Sequence, residues 1–183
     1  MDRPTPNRFD DRIEHVISTR ARTAGYFTKS DFLEINRWKT PRTAKRVAEN
    51  GEEYVKTVTQ TALSTPSERL RIEILTLLRG MGWRTSSVIL HFAHKEPYPI
   101  LDVRALWSLG IEVGEDKYNF DLWQTYTTFC RDLALRTNKT MRELDRAVAV
   151  LEGKSKVTWA QTKGKDGVFC FVAPCLDNKW AAL

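Results

Sequence analysis

Asp102 is the residue of this sequence that we single out as the candidate catalytic group. It directly follows a loop with two prolines and precedes Val103, Leu106 and Leu109, which have helical spacing. A carboxylate at such a helix start is expected at the edge of a cleft, where it can stabilise a developing positive charge or deprotonate water. Aspartate is also a good helix N-cap, and one side chain can serve both purposes.

A glycine-rich turn between two helical stretches is the second candidate site. Glycine adopts positive φ readily and lets another backbone come close. The first-turn N–H groups of the helix after Gly82, together with its dipole, favour an anion such as a phosphate. An ordinary helical hairpin, with glycines for tight packing, is the alternative. The candidate phosphate-contacting residues are Arg79, Gly80, Met81, Gly82, Trp83, Arg84 and Thr85.

Helices are expected to position both segments. Thr65–Glu68 and Thr140–Glu143 have the pattern of capping boxes, in which Thr65 and Thr140 would be the N-caps. The helix after the first box is expected to bury Leu70, Ile74, Leu77 and Leu78. A longer apolar stripe with helical spacing is formed by Leu122, Trp123, Tyr126, Phe129, Cys130 and Leu133.

The last thirty residues have a different pattern. Val157–Ala160 and Val168–Val172 are β-prone runs, which predict a short β-hairpin or a loose tail. We therefore expect an all-α, multi-helix domain over residues 1–153 and a C-terminal extension of undetermined structure over residues 154–183.

Composition and charge narrow the function classes. Hydrophobic residues make up 42% and charged residues 28%, as in folded proteins. The net charge of +6 and the pI near 9.3 suit a polyanionic partner, although many cytosolic proteins have an ordinary basic surface. No apolar run approaches the roughly 20 residues that cross a bilayer, and the N-terminus has no signal-peptide core. We expect a cytoplasmic, nucleoid-associated protein without a membrane partner.

The three cysteines, Cys130, Cys170 and Cys175, do not form a disulfide framework or a metal-binding pattern. Buried thiols that act as small hydrophobic groups are the favoured interpretation. The sequence contains neither a phosphate-binding P-loop nor a dinucleotide fingerprint. We therefore expect no metal, no iron–sulfur cluster and no other cofactor.

Together the turn and the aspartate resemble the helix-hairpin-helix DNA glycosylase superfamily, the group that contains endonuclease III and the adenine glycosylases. The hairpin Leu78–Ser86 is similar to the family's DNA-binding hairpin, and Tyr98–Arg104 is similar to the segment that holds its catalytic aspartate. Asp102 follows Arg84 by 18 residues, a spacing that resembles the family's. The similarity covers Leu70–Gly110. It implies a helical fold, duplex DNA as partner, and hydrolysis of an N-glycosidic bond by Asp102 in base excision repair.

This chain departs from the family's pattern at three places. Arg84 stands where bifunctional members carry a lysine nucleophile, so the resemblance implies a monofunctional enzyme. The iron–sulfur cysteines of several members are missing, and Trp38–Thr40 does not match the glutamine-rich stretch beside the extruded base. A non-catalytic DNA-binding protein of this fold is therefore the alternative. The candidate base-pocket residues are Trp38, His91 and Tyr98.

Overall fold

A computed structural model describes residues 11–109, 111, 114, 117–150, 160–163 and 169–172. The chain divides into two compact units, Met1–Tyr98 and Pro99–Leu183. The division falls inside the region expected to be one helical domain, whereas a separate extension over 154–183 stays a prediction. The described residues are mainly helical, which confirms the expected all-α class. None of the described helices is long and apolar enough to cross a membrane.

The first unit is built from short helices. In chain order these are a π-helical turn Ile13–Ile17, α1 (Ser18–Ala24), α2 (Lys29–Lys39), a 3-10 turn Pro41–Thr43, α3 (Ala44–Ala48), α4 (Glu52–Ser64), α5 (Glu68–Glu73), a 3-10 turn Ile74–Leu77 and α6 (Trp83–Ala93).

Helix α6 is the central element of the first unit, because α1, α2, α4 and α5 all pack against it. Eight of its eleven residues are buried, including the small residues Thr85, Ser86 and Ser87 in its first half. Small side chains let neighbouring helices come close on several sides. The turn before α6 is therefore attached to the most heavily packed helix of the unit.

The buried face of α5 differs from the sequence expectation. Leu70 and Leu77 are 44% and 63% exposed, whereas Ile72, Leu75 and Leu78 are buried. The buried residues are spaced by three because the 3-10 turn that continues α5 has three residues per turn. The N-cap also differs: the Ser67 hydroxyl, and not that of Thr65, accepts the helix hydrogen bond from the Leu70 N–H.

The second unit contains three described helices and one described hairpin: α7 (Val103–Ser108), α8 (Phe120–Thr137), α9 (Met141–Val150), β1 (Ala160–Lys163) and β2 (Phe169–Val172). Helix α9 packs against α7 and α8. The apolar stripe of α8 is confirmed, with four members fully or almost fully buried: Trp123, Tyr126, Cys130 and Leu133. Burial raises the pKa of the Cys130 thiol to about 12, as expected for a hydrophobic cysteine.

Strands β1 and β2 pair antiparallel, with Ala160 opposite Val172 and Lys163 opposite Phe169. Of the two alternatives for the C-terminal region, the short hairpin is therefore the one observed. Its first strand begins at Ala160, where the predicted run ended, and Val157–Trp159 lie outside the described residues, as does Cys175.

Candidate nucleic-acid interface

The glycine-rich turn is a tight connection between the 3-10 turn Ile74–Leu77 and α6. The backbone is extended at Leu78, and the Met81 N–H donates to the Leu78 carbonyl at 3.1 Å. Gly82 is the N-cap of α6, with an extended backbone at φ −130°, and its carbonyl accepts from the Ser86 N–H at 2.8 Å. The turn therefore joins a 3-10 turn to α6, and α6 begins at Trp83, two residues before the expected start near Thr85.

The two glycines of the turn have different roles. Gly80 has φ of +81°, and a Cβ placed on it would lie 2.7 Å from Cγ2 of Val47 and 3.1 Å from the Val47 nitrogen. Any other residue at position 80 would strain the backbone and collide with α3. A Cβ on Gly82 would meet no atom within 4 Å. Contacts within the protein therefore do not require a glycine there, and the Cβ position at the α6 N-terminus is open.

Two buried asparagines hold the turn in place. The Asn50 Oδ1 accepts from the Arg79 N–H at 2.8 Å, and its Nδ2 donates to the Arg79 carbonyl at 3.0 Å and to the Val47 carbonyl at 2.9 Å. Asn36 Nδ2 lies 3.8 Å from the Met81 sulfur. Both amides are almost fully buried. Sequence reasoning missed them because no short-range pattern links Asn50 to a partner 29 residues away.

The charged and aromatic residues of the turn are differently exposed. Arg79 is exposed and forms an ion pair with Glu49. Trp83 and Arg84 are half-buried, and Thr85 is buried. The structure thus places backbone, one arginine side chain and the open edge at Gly82 on the accessible side of the turn, while Thr85 belongs to the core.

Two of the base-pocket candidates contact the same aromatic ring, that of Phe92. Trp38 and His91 both pack edge-to-face on Phe92, with centroid distances of 5.5 and 4.9 Å. Both are half-buried. The His91 Nδ1 also lies 2.7 Å from the Tyr98 carbonyl oxygen. The structure therefore brings Trp38 and His91 into one aromatic cluster of the first unit.

Tyr98 is placed as a core residue and not as a pocket wall. Its ring is fully buried, and its hydroxyl donates to the Glu68 carboxylate at 2.8 Å and accepts from the Arg71 guanidinium at 2.8 Å. Arg71, which is also buried, bonds Glu68 and the Thr65 carbonyl. His94 packs edge-on against the Tyr98 ring at 5.0 Å, and burial lowers the pKa of this histidine. A base would find no open side of the tyrosine ring.

Asp102 begins α7 as its N-cap. Its Oδ1 accepts from the Arg104 N–H at 2.9 Å, and the side chain is half-buried. The carboxylate thus remains partly accessible and is not enclosed in the interior of the second unit. Burial is the main cause that raises the pKa of Tyr126, and the negative charge of Asp102 is a minor one.

Comparison of the chain with protein-family models, with curated proteins and with solved structures gave no match. Within the described ranges, no group of three or more histidine, cysteine, aspartate or glutamate side chains could hold a metal ion.

Proposed function

We propose that the protein is a monofunctional DNA glycosylase that binds duplex DNA through the turn Arg79–Thr85 and uses Asp102 as its catalytic carboxylate. The observation that carries the proposal is the turn itself. Gly80 fixes it against α3, and Gly82 leaves the start of an eleven-residue helix open. A second support comes from the sequence, because Asp102 follows Arg84 by 18 residues and caps the next helix.

Phosphate binding at this turn follows from its backbone. The first N–H groups of a helix have no intrahelical acceptor, and the helix dipole adds partial positive charge there. Space beside Gly82 lets a phosphate oxygen come within hydrogen-bonding distance of these donors. Such contacts orient a protein on DNA without reading its sequence.

The role of Asp102 follows from the charge that develops in N-glycosidic cleavage. The departing base takes the bonding electron pair, and positive charge develops on the sugar. A nearby carboxylate stabilises this charge and accepts a proton from the water that adds to the anomeric carbon. The departing base gains a proton from solvent, and the carboxylic acid returns its proton to solvent. The base must first leave the stack to be reached. The products are a free base and an abasic site in an intact strand.

The side chain at position 84 distinguishes a glycosylase that only hydrolyses from one that also has lyase activity. An arginine side chain stays protonated at neutral pH, so it cannot attack as an amine nucleophile. We therefore expect base release without strand cleavage.

The direct test is a panel of duplexes with damaged or mismatched bases, assayed for base release by the wild type and by Asp102→Asn. Asparagine caps helices about as well as aspartate, so the variant should keep its fold, as circular dichroism would check. Loss of a general base should lower the rate roughly 10²- to 10⁴-fold. Equal rates for both proteins would eliminate Asp102 as the catalytic group.

A non-catalytic DNA-binding protein is the second candidate, favoured by the burial of Tyr98, which removes one expected pocket residue. It predicts duplex binding that weakens steeply with salt and no product from any substrate in the panel. Base release by the wild type that depends on Asp102 would exclude this alternative.

The variant Gly82→Val tests the proposed contact between the turn and DNA. The branched side chain occupies the space where a phosphate would lie, so affinity for duplex DNA should fall at least tenfold, or about 1.4 kcal/mol. The matched control is Gly51→Val, because Gly51 is also an open glycine N-cap, that of α4. The two variants should lose similar stability. Unchanged affinity in a folded Gly82→Val variant would reject the proposed DNA contact.

A further inference from the structure

Positive charge is concentrated in one short stretch of the first unit. Five of the ten residues 37–46 are lysine or arginine, and none is aspartate or glutamate. Three of them, Arg42, Lys45 and Arg46, are exposed on the 3-10 turn Pro41–Thr43 and on α3. We call these three residues the α3 basic face.

The α3 basic face lacks the ion pairs that other arginines of this unit have. Arg12 pairs with Glu34, and Arg20 pairs with Asp31. Within the described part of the chain, none of the three side chains of the α3 basic face is in an ion pair with a carboxylate. Their spacing of three and four residues brings like charges together on a helical surface, which is unfavourable by a few tenths of a kcal/mol per pair.

The structure attaches this face to the glycine-rich turn. A Cβ on Gly80 would lie 3.1 Å from the Arg46 Cβ and 2.7 Å from Val47 Cγ2, so the turn rests directly on α3. Asn50, two residues after α3, bonds both backbone groups of Arg79. The cations and the turn therefore belong to one tightly connected surface, although they are more than thirty residues apart in sequence.

We infer that the α3 basic face is a second phosphate-binding surface for the duplex DNA held by the turn. This inference rests on the proposed function. A solvated helix face is the usual role of a basic run, but among the described residues none of these three cations is in an ion pair with a carboxylate, and the exposed acid beside them, Glu49, pairs with Arg79. Duplex DNA supplies one negative charge per about 1.7 Å of its axis, so one duplex can neutralise both the turn and the adjacent face.

The experiment measures the salt dependence of binding to a short labelled, undamaged duplex for the wild type, Arg42→Gln/Lys45→Gln and Arg22→Gln/Lys95→Gln. The control pair removes the same charge from two exposed cations elsewhere in the first unit that also have no carboxylate partner among the described residues. Each lost phosphate contact lowers the slope of log affinity against log salt by about 0.9. We expect the slope to fall by about 2 in the test variant and to stay nearly unchanged in the control.

Four results would overturn the inference, and they can be told apart. Salt-dependent binding by the wild type with an unchanged slope in the test variant removes the α3 basic face and leaves the proposed function standing. Equal slope changes in test and control show a general charge effect, with the same consequence. No duplex binding by the wild type removes the proposed function and the inference together. The charge-conserving variant Arg42→Lys/Lys45→Arg should keep the wild-type slope, and a loss there would contradict a role for charge.

Discussion

The turn before α6 and the helix starts of the second unit are stabilised in different ways. In the turn, Asn50 bonds Arg79 from 29 residues away, and Gly80 lies against Val47. In the second unit, each helix start is capped from within three residues, by Asp102, by Asn119 and by the Thr140–Glu143 pair. Long-range contacts therefore determine the conformation of the candidate DNA contact, whereas the candidate catalytic residue is placed by its own helix.

This difference matters for how each site tolerates change. A local cap contributes about 1 kcal/mol and its loss mainly frays one helix end. A turn held by buried amides and by close packing has several contacts that fail together when one is removed. Substitutions at the turn should therefore reduce the stability of the first unit more than cap substitutions reduce that of the second.

The largest effect is expected from Gly80→Val. The variant forces a β-branched residue into φ of +81° and places its Cβ 2.7 Å from Val47 Cγ2. Strain and overpacking together should cost roughly 3 kcal/mol or more. Denaturant unfolding measures this loss. A variant with wild-type stability would show that the turn can rearrange, and would contradict its description as tightly held.

Asn50→Ala should have the next largest effect. It removes three hydrogen bonds to backbone groups, two of them at Arg79, and leaves a small cavity, at a cost of about 2 kcal/mol. It should also weaken duplex binding, because the turn loses its fixed position. Wild-type stability of this variant would contradict the assigned role of Asn50 as a support of the turn.

Asp102→Ala tests the local cap of α7. Loss of the hydrogen bond to the Arg104 N–H should cost about 1 kcal/mol, whereas Asp102→Asn should cost close to nothing. Thermal unfolding of the two variants compares them directly. Equal destabilisation by alanine and asparagine would mean that the negative charge, and not the cap, stabilises this helix start.

The smallest effect is expected for the pH dependence of stability at the Thr140–Glu143 capping box. Hydrogen bonds from Thr140 lower the pKa of the Glu143 carboxyl from its ordinary value of 4.5. A carboxyl with a lowered folded-state pKa stabilises the protein above that ordinary value, and the contribution is lost as the pH falls through the folded-state pKa. The stability difference between the wild type and Glu143→Gln should therefore shrink below pH 4.5. A difference that is constant with pH would contradict the ionised capping box.

Locally determined features could be predicted from the sequence. The Asp102 helix start, the Thr140–Glu143 capping box and the buried α8 stripe were all predictable because each depends on residues within a few turns of one another. The same local reasoning failed at Thr65–Glu68, where both a threonine and a serine precede the helix. There the Ser67 hydroxyl is the N-cap of α5, and the Glu68 carboxylate accepts a hydrogen bond from the Tyr98 hydroxyl.

Features that depend on distant partners could not be predicted. The sequence shows Tyr98 as an aromatic residue beside the Asp102 segment, but its burial depends on Glu68 and Arg71, about thirty residues earlier. After α5 the chain continues as a 3-10 turn, in which Leu75 is buried and Leu77, the residue expected from α-helical spacing, is exposed. α-Helical spacing cannot predict this difference. In the candidate site, the glycines and arginines of the turn could be identified from the sequence. The contacts by which Asn36 and Asn50 support the turn could not.

The burial of Cys130 makes its thiol a reporter on one half of the molecule. All three cysteines of the chain lie in the second unit, so a thiol reagent reports on that unit alone. In a protein with Cys170 and Cys175 replaced by serine, modification of Cys130 requires α8 to open, because both burial and the high pKa protect the sulfur. Labelling under native conditions that is faster than global unfolding allows would then show that the half with Asp102 opens without unfolding of the whole chain.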